Sequence, residues 1–495
     1  MFEAVELGQS LSKKDFKQAE PAFRAELLLL QRQLAEKNIP VLIIVAGVEG
    51  AGKGEVVDNL TKWFDGRGIE THAFWDETDE EKARPEYWRY WKRLPARGSI
   101  GIMFGGWYWD PIYQRSVGRL DEAELDEAAH RIKELENTLH QDGMLIIKLW
   151  FHLGKKTFQK RLKKGSEAAR HVQIDADDHH GGVKYAPFIA SAERMIRRTD
   201  TSAVSWHLIE SENSWFRDMS VVDIIRDSFN KRFEEHRLAD RRVEEQSPQV
   251  AMDDAGVTVL DRLDMSQTLT KPDYKEKLEK YQTTLSKLAW QAYEARRSTV
   301  IVFEGWDAAG KGGALRRLTS SIDARLYRSI SVAAPTDEEL AHHYLWRFWR
   351  QIPRAGYMTL YDRSWYGRVL VERVEKFAQP HEWMRAYQEI NDFEEQLVDN
   401  GVVVLKFWLH VTPEEQLRRF EERQQTPWKQ HKLTEEDWRN RDKWNSYAQA
   451  INEMVLRTSS DKAPWTLVPA NDKLHARIQV LQTVCERLQQ ALHGG

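Results

Sequence analysis

Apolar residues recur along this chain in two distinct patterns. Runs that are almost continuously apolar, such as VLIIVAGV at 41–48, are typical of buried parallel strands. Between them lie stretches with apolar residues at helical spacing, such as 275–297, which predict amphipathic helices. In the second half of the chain these patterns predict strands at 299–304, 356–361, 402–409 and 464–468, and a closing helix at 473–492. Strands that alternate with helices predict an α/β fold, in which a parallel sheet is flanked by helices.

The same order of elements occurs twice. The segment GVEGAGKG, which contains Lys53, returns 258 residues later as GWDAAGKG, which contains Lys311. The same offset relates further identical pairs: Asp15 and Asp273, Trp88 and Trp346, Trp107-Tyr108 and Trp365-Tyr366, Lys148 and Lys406, and His152 and His410. A constant offset over about 150 residues indicates a tandem duplication of one domain. We therefore predict a first domain at 1–236, a charged linker at 237–256 and a second domain at 257–495.

A glycine-rich loop of the form G-x-x-x-x-G-K follows the first long strand of each domain. The backbone N–H groups of such a P-loop bind phosphate oxygens, and its lysine contacts the transferred phosphate. In the second domain this predicts a phosphate site at Gly305, Ala308, Ala309, Gly310, Lys311, Gly312 and Gly313. Because Gly312 replaces the usual Ser or Thr that binds Mg²⁺, Asp307 inside the loop is the candidate metal ligand. The alternative interpretation is a tight turn with a solvated lysine.

In the second domain, the second predicted strand leads into the segment TLYDRSW. Its Asp362 lies at the carboxyl end of a parallel strand, where open α/β sheets bind ligands, and suits the Walker B role of a magnesium ligand. Arg363, Arg368 and Arg373 follow it and offer planar donors to phosphate oxygens. The alternatives are a helix N-cap for Asp362 and a surface ion pair for Arg373.

A charged helical stretch between 416 and 454 is predicted to form a lid over the loop. Its cations Arg419, Arg423 and Lys432 would neutralise an extended anion, and the alternative is a solvated helix face. The recurring aromatic residues are predicted to be mostly core, with one or two left open as stacking platforms for a base: Trp346, Phe348, Trp349, Trp365 and Tyr366.

The first domain keeps the loop but loses its charged partners. Its counterparts of Asp307, Asp362 and Arg363 are Glu49, Phe104 and Gly105. Since a phenyl ring cannot bind a metal ion, we predict that the first domain is inactive and the second is catalytic. The first domain also has an Asp/His-rich stretch at 177–180, which we interpret as an acidic loop because no second ligand cluster accompanies it.

The composition excludes several other classes of protein. Apolar residues make up 41% and charged residues 30% of the 495 residues, as in globular proteins. The formal net charge of −4 gives no overall basic field for nucleic acid, and no apolar run approaches the ~20 residues of a membrane helix. The first residues lack a signal-peptide pattern, and the single Cys485 cannot form an intramolecular disulfide. We therefore expect a cytoplasmic protein that binds neither nucleic acid nor membrane.

The motifs of the second domain, taken in order, closely resemble the polyphosphate kinase 2 family: GWDAAGKGG at 305–313, Pro335-Thr336, DRSWY at 362–366, LVER at 370–373 and the lid residue Lys432. The resemblance covers essentially the whole chain, and its tandem form resembles the family's two-domain polyphosphate:AMP phosphotransferases. It implies P-loop kinase-like domains, each with a helical lid. It also implies Mg²⁺, with Mn²⁺ as a substitute, as cofactor, and transfer of the terminal phosphoryl group of inorganic polyphosphate to AMP. The family's functional positions fall on Asp307, Lys311, Asp362 and Arg363, and more loosely on Arg419, Arg423 and Lys432.

Two other functions stay open from the residues themselves. An ATP-dependent nucleoside monophosphate kinase would use the same loop and lid. A non-catalytic phosphate-binding scaffold would explain the altered first domain, although the retention of Asp307, Lys311, Asp362 and Arg363 in one domain argues against it. We also expect the two domains to pack as a pseudo-two-fold dimer, with higher oligomers left open.

Overall fold

The structure of the chain, a computed structural model, describes residues 1–74, 76–161, 184–245, 258–427, 430 and 433–493, with the backbone alone for 238–245. Within these residues no helix is long and apolar enough to cross a bilayer. Two five-stranded sheets are present, and every strand pair in both sheets is parallel. Helices flank each sheet, which confirms the predicted α/β fold and its duplication.

The two sheets have the same topology. The strands of the first sheet are β1 (Val41–Gly47), β2 (Ile69–Ala73), β3 (Ile100–Phe104), β4 (Leu145–His152) and β5 (Trp206–Glu210). Those of the second are β6 (Thr299–Gly305), β7 (Tyr327–Ser331), β8 (Met358–Asp362), β9 (Val403–His410) and β10 (Trp465–Pro469). The spatial orders are β2-β3-β1-β4-β5 and β7-β8-β6-β9-β10. The strand that leads into the glycine-rich loop is therefore the central strand of each sheet.

Helices connect the strands in both halves of the chain. In the first half they are α1 (Lys13–Glu36), α2 (Lys53–Trp63), α3 (Asp79–Lys82), α4 (Trp88–Trp91), α5 (Trp109–Ser116), α6 (Glu122–Gln141), α7 (Tyr185–Thr199) and α8 (Ser214–Glu245). In the second half they are α9 (Lys271–Glu294), α10 (Lys311–Thr319), α11 (Asp337–Leu340), α12 (Trp346–Trp349), α13 (Val371–Val374), α14 (Pro380–Asp399), α15 (Pro413–Gln425), α16 (Glu435–Asp442), α17 (Trp444–Thr458) and α18 (Lys473–His493).

The edge strands β2 and β7 escape prediction from the sequence. Both have three exposed positions in five, and β7 reads YRSIS, without an apolar run. Each is a strand because its backbone pairs with a neighbour, β2 with β3 and β7 with β8. Each lies at the edge of its sheet and buries little side-chain surface, so its sequence carries no apolar run. Helix α8 extends to Glu245 and so enters the stretch 237–256 that we predicted as a linker.

A buried polar network accounts for the repeated Lys, Trp-Tyr and Thr residues. In the second half, Lys406 Nζ donates to Glu394 Oε2 at 2.7 Å, to the Tyr366 hydroxyl at 3.0 Å and to the Thr458 carbonyl at 2.6 Å. Trp365 Nε1 also donates to Glu394. The first half repeats this network with Lys148, Glu136, Tyr108, Thr199 and Trp107. Because every charged member has partners, the network is a stable part of the core in both domains.

The Cα positions divide into two compact units that do not follow the sequence strictly. The first unit contains Met1–Glu77, Arg89–Ser247 and Asp337–His343, and the second contains Thr78–Trp88, Pro248–Thr336 and Tyr344–Gly495. In the second unit the Ala355 amide donates to the Ala83 carbonyl at 2.7 Å. Each unit therefore includes a short segment from the other half of the sequence.

Candidate active site

The loop between β6 and α10 has the backbone of a phosphate-binding loop. Gly305, at the end of β6, has φ +152°, and a Cβ atom on it would lie 2.5 Å from the Leu409 carbonyl oxygen of β9. No other residue fits there. Ala308 and Gly310 also have positive φ, at 62° and 111°, and α10 begins at Lys311 directly after them. The loop thus turns sharply into a helix N-terminus, where the partial positive charge favours an anion.

The loop lysine folds back onto its own loop. Lys311 Nζ donates to the carbonyl oxygens of Gly305 at 2.5 Å and Trp306 at 3.2 Å, and its side chain is partly exposed. Lys53 of the first domain has the corresponding carbonyl partners, but it is buried, and burial lowers its pKa. Lys53 also lies 3.5 Å from the Glu49 carboxylate. Among the described residues, the acceptors of Lys311 are therefore neutral carbonyls, which a phosphate oxygen can replace, whereas Lys53 has a charged partner as well.

Asp307 and Arg363 form an ion pair at this loop. Arg363 NH2 lies 3.2 Å from Asp307 Oδ1, and its NH1 lies 3.7 Å from Glu436 of α16. The other oxygen of Asp307 accepts a hydrogen bond from Asn440 Nδ2 at 2.9 Å. The Arg363 side chain is 43% exposed and that of Asp307 is 14% exposed. Two of the predicted site residues are therefore in direct contact, and Arg363 is open to solvent and to a ligand.

Asp362 lies at the end of β8, beside the strand that carries the loop. Its backbone is in register with Phe303 of β6. Ser364, not Asp362, caps the next helical turn, because the Ser364 hydroxyl accepts from the Tyr366 amide. The N-cap interpretation of Asp362 is therefore excluded. Its carboxylate makes no hydrogen bond with any described residue, so it is available to a ligand.

A buried acid next to these residues was not predicted. Glu304 of β6 is buried, and its Oε1 accepts a hydrogen bond from the Ser364 hydroxyl at 2.8 Å. Burial raises the pKa of Glu304, and this hydrogen bond partly offsets the effect. In the strand sequence TVIVFEG the acid looks like the polar end of a buried strand, which is why sequence reasoning passed over it.

The donor set fits a magnesium ion. Mg²⁺ in phosphoryl-transfer sites is held by one or two carboxylates, and phosphate oxygens and waters complete its octahedron. Asp307 and Asp362 lie on the loop and on the neighbouring strand end, and both offer hard carboxylate oxygens. The described residues hold no group of three or more His, Cys, Asp or Glu side chains that could bind a metal by themselves. The two aspartates would therefore fill only part of the octahedron, which leaves positions for waters and, when polyphosphate is bound, for phosphate oxygens.

The two arginines that follow Arg363 are engaged in ion pairs with the protein. Arg373 makes a two-pronged contact with Glu453, at 2.8 and 3.1 Å, and also donates to the Tyr387 hydroxyl. Arg368 lies 3.2 Å from Glu372 and stacks on the Tyr344 ring. For Arg373 this geometry agrees with the ion-pair alternative, although the pair is largely buried rather than on the surface.

Arg419 of α15 holds the loop through hydrogen bonds to its backbone, and we call these contacts the brace. Its guanidinium donates to the carbonyls of Ala308 and Ala309 in the loop, to those of Ala470 and Asn471 after β10, and to Glu415. The side chain is 2% exposed, and each of its three nitrogens is in a hydrogen bond with a protein oxygen. Arg423, one turn later, is only half-buried. Lys432 and the stretch 177–180 lie outside the described residues.

The first domain repeats the brace but not the charges. Arg161 donates to the Gly50 carbonyl of its loop and to those of Ser211 and Glu212 after β5. Where Asp362 would be, the Phe104 ring lies 5.9 Å from Lys53 Nζ. The brace therefore persists where the candidate metal ligands do not, which indicates that it supports the loop itself.

The repeated aromatic residues lie in the core, as predicted. Each side chain has at most 4% of its surface exposed: Trp346, Phe348, Trp349, Trp365 and Tyr366. None of these five offers a free face to a base. A different aromatic pair lies at the loop, where Trp306 stacks on Trp444 with ring centres 3.6 Å apart.

Comparison with known proteins identifies the family. The family model described as polyphosphate kinase 2 (PPK2) matches residues 10–237 and again 268–493. The chain belongs to the polyphosphate kinase 2 family. It is 44% identical over 493 residues to a polyphosphate:AMP phosphotransferase of Pseudomonas aeruginosa, covering 99% of both chains. It is 35% identical over 457 residues to a polyphosphate:AMP phosphotransferase of Acinetobacter johnsonii, covering 91% of both. A crystal structure described as a putative polyphosphate kinase 2 of Pseudomonas aeruginosa superimposes with a TM-score of 0.88 at 43% identity, covering 99% of both chains.

In this polyphosphate kinase 2 chain, sequence reasoning missed four polar residues around the loop: Glu304, Asn440, Tyr447 and Gln416. Gln416 Nε2 donates to the Asp307 carbonyl at 3.2 Å, and the Tyr447 hydroxyl donates to Asn440 Oδ1 at 3.1 Å. All except Glu304 come from the lid region, more than 100 positions from the loop. For Gln416 and Asn440, the signal in the sequence was an uncharged amide side chain in a charge-rich helix.

Proposed function

We propose that this chain transfers the terminal phosphoryl group of inorganic polyphosphate to AMP, giving ADP, and that the reaction takes place in the second domain. The observation that carries the proposal is the assembly of Lys311, Asp307, Arg363 and Asp362 around one phosphate loop. The donor and acceptor follow the names of the full-length relatives, which are polyphosphate:AMP phosphotransferases.

The reaction places a phosphate oxygen of AMP in line with the terminal phosphorus of polyphosphate. A new P–O bond forms as the bridging P–O bond to the rest of the chain breaks, and the shortened polyphosphate keeps the electron pair. The attacking oxygen is already ionised at neutral pH, so no general base is required. Catalysis then consists of positioning and charge neutralisation.

The residues of the second domain divide these tasks. Lys311 exchanges its carbonyl partners for phosphate oxygens and acts as a point charge, while the planar guanidinium of Arg363 can contact two oxygens at once. Asp307 and Asp362 would hold Mg²⁺, or Mn²⁺ in its place, which supplies charge neutralisation on the phosphate oxygens when bound. The brace by Arg419 keeps the loop backbone in place, and we assign it no contact with phosphate.

We assign the first domain no catalytic role. Its loop keeps Lys53, but Phe104 and Gly105 replace the Walker B aspartate and its arginine. Arg423, which is half-buried, and Lys432, which lies outside the described residues, stay candidates for contacts with polyphosphate. An overall acidic chain is compatible with this, because a local groove can be positive while the net charge is −4.

Product analysis tests the proposal. The full chain is mixed with Mg²⁺ and either polyphosphate or ATP as donor, and with AMP, ADP, GMP or GDP as acceptor. We expect ADP from AMP with polyphosphate, a much slower reaction with ATP, and no product from the Asp362→Asn variant. Faster phosphorylation of AMP by ATP would instead support the nucleoside monophosphate kinase, and phosphate binding without any product would support the scaffold.

A further inference from the structure

Helix α16 contacts both members of the Asp307–Arg363 pair. Glu436 lies 3.7 Å from Arg363, and Asn440, one turn later on the same face, donates to Asp307 at 2.9 Å. The Thr434 hydroxyl accepts from the Asp437 amide, and the Asp437 carboxylate accepts from Thr434. This capping box fixes the start of the helix. The lid region thus supplies one partner to each charge of the pair.

The orientation of the Asn440 amide is determined by its two partners. Its Nδ2 faces a carboxylate, which only accepts, and its Oδ1 accepts from the Tyr447 hydroxyl at 3.1 Å. The other acceptor near this hydroxyl, Glu375 Oε1, is farther away at 3.4 Å. Burial raises the pKa of Tyr447, so its hydroxyl keeps the proton that it donates. Asn440 is 8% exposed, so water cannot easily replace either partner. Both hydrogen bonds therefore hold one amide orientation.

The two oxygens of Asp307 have unequal partners. Oδ2 is held by the buried amide of Asn440, whereas Oδ1 faces Arg363, whose side chain is 43% exposed and whose contact is longer, at 3.2 Å. Oδ1 is therefore the oxygen whose partner can be exchanged. A hydrogen bond to one oxygen of a ligating carboxylate fixes its orientation and so raises metal affinity.

We propose that Asn440, oriented by Tyr447, is a positioning residue that fixes the carboxylate of Asp307 for its metal ion. The inference deepens the proposed function and rests on it, since it assigns Asp307 as a metal ligand. The lid region would then have a second role besides contacts with polyphosphate, because Asn440 of helix α16 contacts the loop residue Asp307.

The first domain lacks two members of this arrangement, the tyrosine hydroxyl and the loop aspartate. Helices α7 and α17 correspond at an offset of 259, which places Phe188 at the position of Tyr447. Phe188 is buried and has no hydroxyl to donate, and Glu49 stands in place of Asp307. The hydroxyl and the loop aspartate are therefore present together in the second domain and absent together from the first.

Binding of Mn²⁺ alone tests the proposal without turnover. The full chain is titrated with Mn²⁺ in the absence of nucleotide and polyphosphate, and free Mn²⁺ is followed by electron paramagnetic resonance. We expect Asn440→Ala to raise the dissociation constant by about 10- to 100-fold and Tyr447→Phe to raise it by a smaller factor. Asn445→Ala, at an exposed asparagine of α17, is the matched control and should bind Mn²⁺ as the wild type does.

The outcomes separate this proposal from the proposed function. Wild-type Mn²⁺ affinity in a folded Asn440→Ala variant overturns it, and so does unchanged Mn²⁺ binding in Asp307→Asn. If Asn440→Ala does not fold, Tyr447→Phe decides in the same way. If the wild type makes no ADP from AMP and polyphosphate but Asn440→Ala still weakens Mn²⁺ binding, the positioning role stands and the proposed function fails.

Discussion

Arg363 reaches the loop carboxylate of Asp307 from a backbone that is itself strained. Its φ is +65°, in the left-handed region that residues other than glycine rarely adopt, and its NH2 lies 3.2 Å from Asp307 Oδ1. The corresponding residue of the first domain is Gly105, with φ +80°. Both domains therefore have a positive φ directly after the strand, and only the second places a side chain there. Strain retained at such a position is typical of functional sites.

We predict opposite effects of Arg363→Gly on stability and on activity. Glycine adopts positive φ freely, so the backbone should gain about 1 kcal/mol, and the half-exposed ion pair that is lost contributes little. The melting temperature of the second domain should therefore rise by roughly 2–4 °C. The rate of ADP formation should fall by about 10²-fold or more, on the order of the loss when a charge-stabilising donor is removed.

Arg363→Lys is the control for this prediction. It keeps the positive charge and the strained backbone but loses the planar pair of donors, so it should show reduced activity without the gain in melting temperature. An Arg363→Gly variant that is both less stable and fully active would contradict the assignment of Arg363.

We predict that the two loop lysines differ in their importance for catalysis. Lys311→Ala should lower the rate by on the order of 10³-fold or more, because the transferred phosphoryl group loses its point charge. Lys53→Ala should leave the rate almost unchanged. Because Lys53 is buried, its variant should lose some stability, so rates are compared at a temperature where both variants are folded. Equal losses of activity would mean that both domains take part in the reaction.

We predict that Arg419 acts on stability and not on the binding of polyphosphate. Arg419→Ala leaves four backbone carbonyls without this donor, while Glu415 keeps its contacts with Arg418. The free energy of unfolding should fall by about 3 kcal/mol or more. Arg161→Ala, the matched variant of the first domain, should also destabilise but leave the rate unchanged. Chemical denaturation and rate measurements on the same samples check both statements.

We predict that the contribution of the lid to donor binding comes from Arg423 and Lys432. Replacing both by alanine should lower the apparent affinity for polyphosphate and flatten its dependence on salt, since fewer ionic contacts are left to screen. Arg419→Ala should keep the wild-type salt dependence at a temperature where it is folded. A wild-type salt slope in the double variant would place these cations on a solvated helix face.

We predict a pH-dependent loss of stability from His410. Its Nδ1 accepts hydrogen bonds from Trp306 of the loop and from Trp408, and burial lowers its pKa to about 4. Between about pH 6.5 and about pH 4 the unfolded chain therefore binds a proton that the folded chain resists. Stability falls with pH in this window, by at most about 3 kcal/mol, and above about pH 6.5 the residue contributes no pH dependence.

A non-titrating variant isolates this effect. The difference in unfolding midpoint between the wild type and His410→Gln should narrow as the pH falls from about 7 to about 4.5. His130→Gln, at an exposed histidine of the first domain, should show a constant difference. A constant difference for His410→Gln as well would show that the histidine is not held in its neutral form.

The fold and the loop could be predicted because their signals are local. Buried parallel strands are apolar throughout, and the P-loop is a contiguous motif, so the order of elements and the central strand followed from the residues. Strands β2 and β7 could not be found, because an edge strand buries little and β7 carries no apolar run. The predicted pseudo-two-fold packing of the domains stays a prediction.

The partners of charged side chains could not be predicted. Arg373 and Arg419 were candidates for phosphate contacts because arginine suits that chemistry, but their acceptors include Glu453 and the carbonyls of Ala470 and Asn471, which only the folded chain brings near. Asn440 was missed for the same reason, since its contact with Asp307 spans 133 positions. Residue type indicates what a side chain can bind, and the fold decides which acceptor it meets first.

The replacements around Gly105 would make the loss of catalysis that we propose for the first domain hard to reverse. Gly105→Arg would reintroduce the left-handed strain, at about 1 kcal/mol, before any metal ligand is restored. Ala46→Glu, at the position of Glu304, would bury a carboxylate without the hydroxyl that Ser364 provides, because Gly106 stands there. Each of these single substitutions should therefore lower the stability of the first domain without restoring catalysis by itself. An evolving lineage can lose the duplicate site by one substitution, but it can recover it only through several that arrive together.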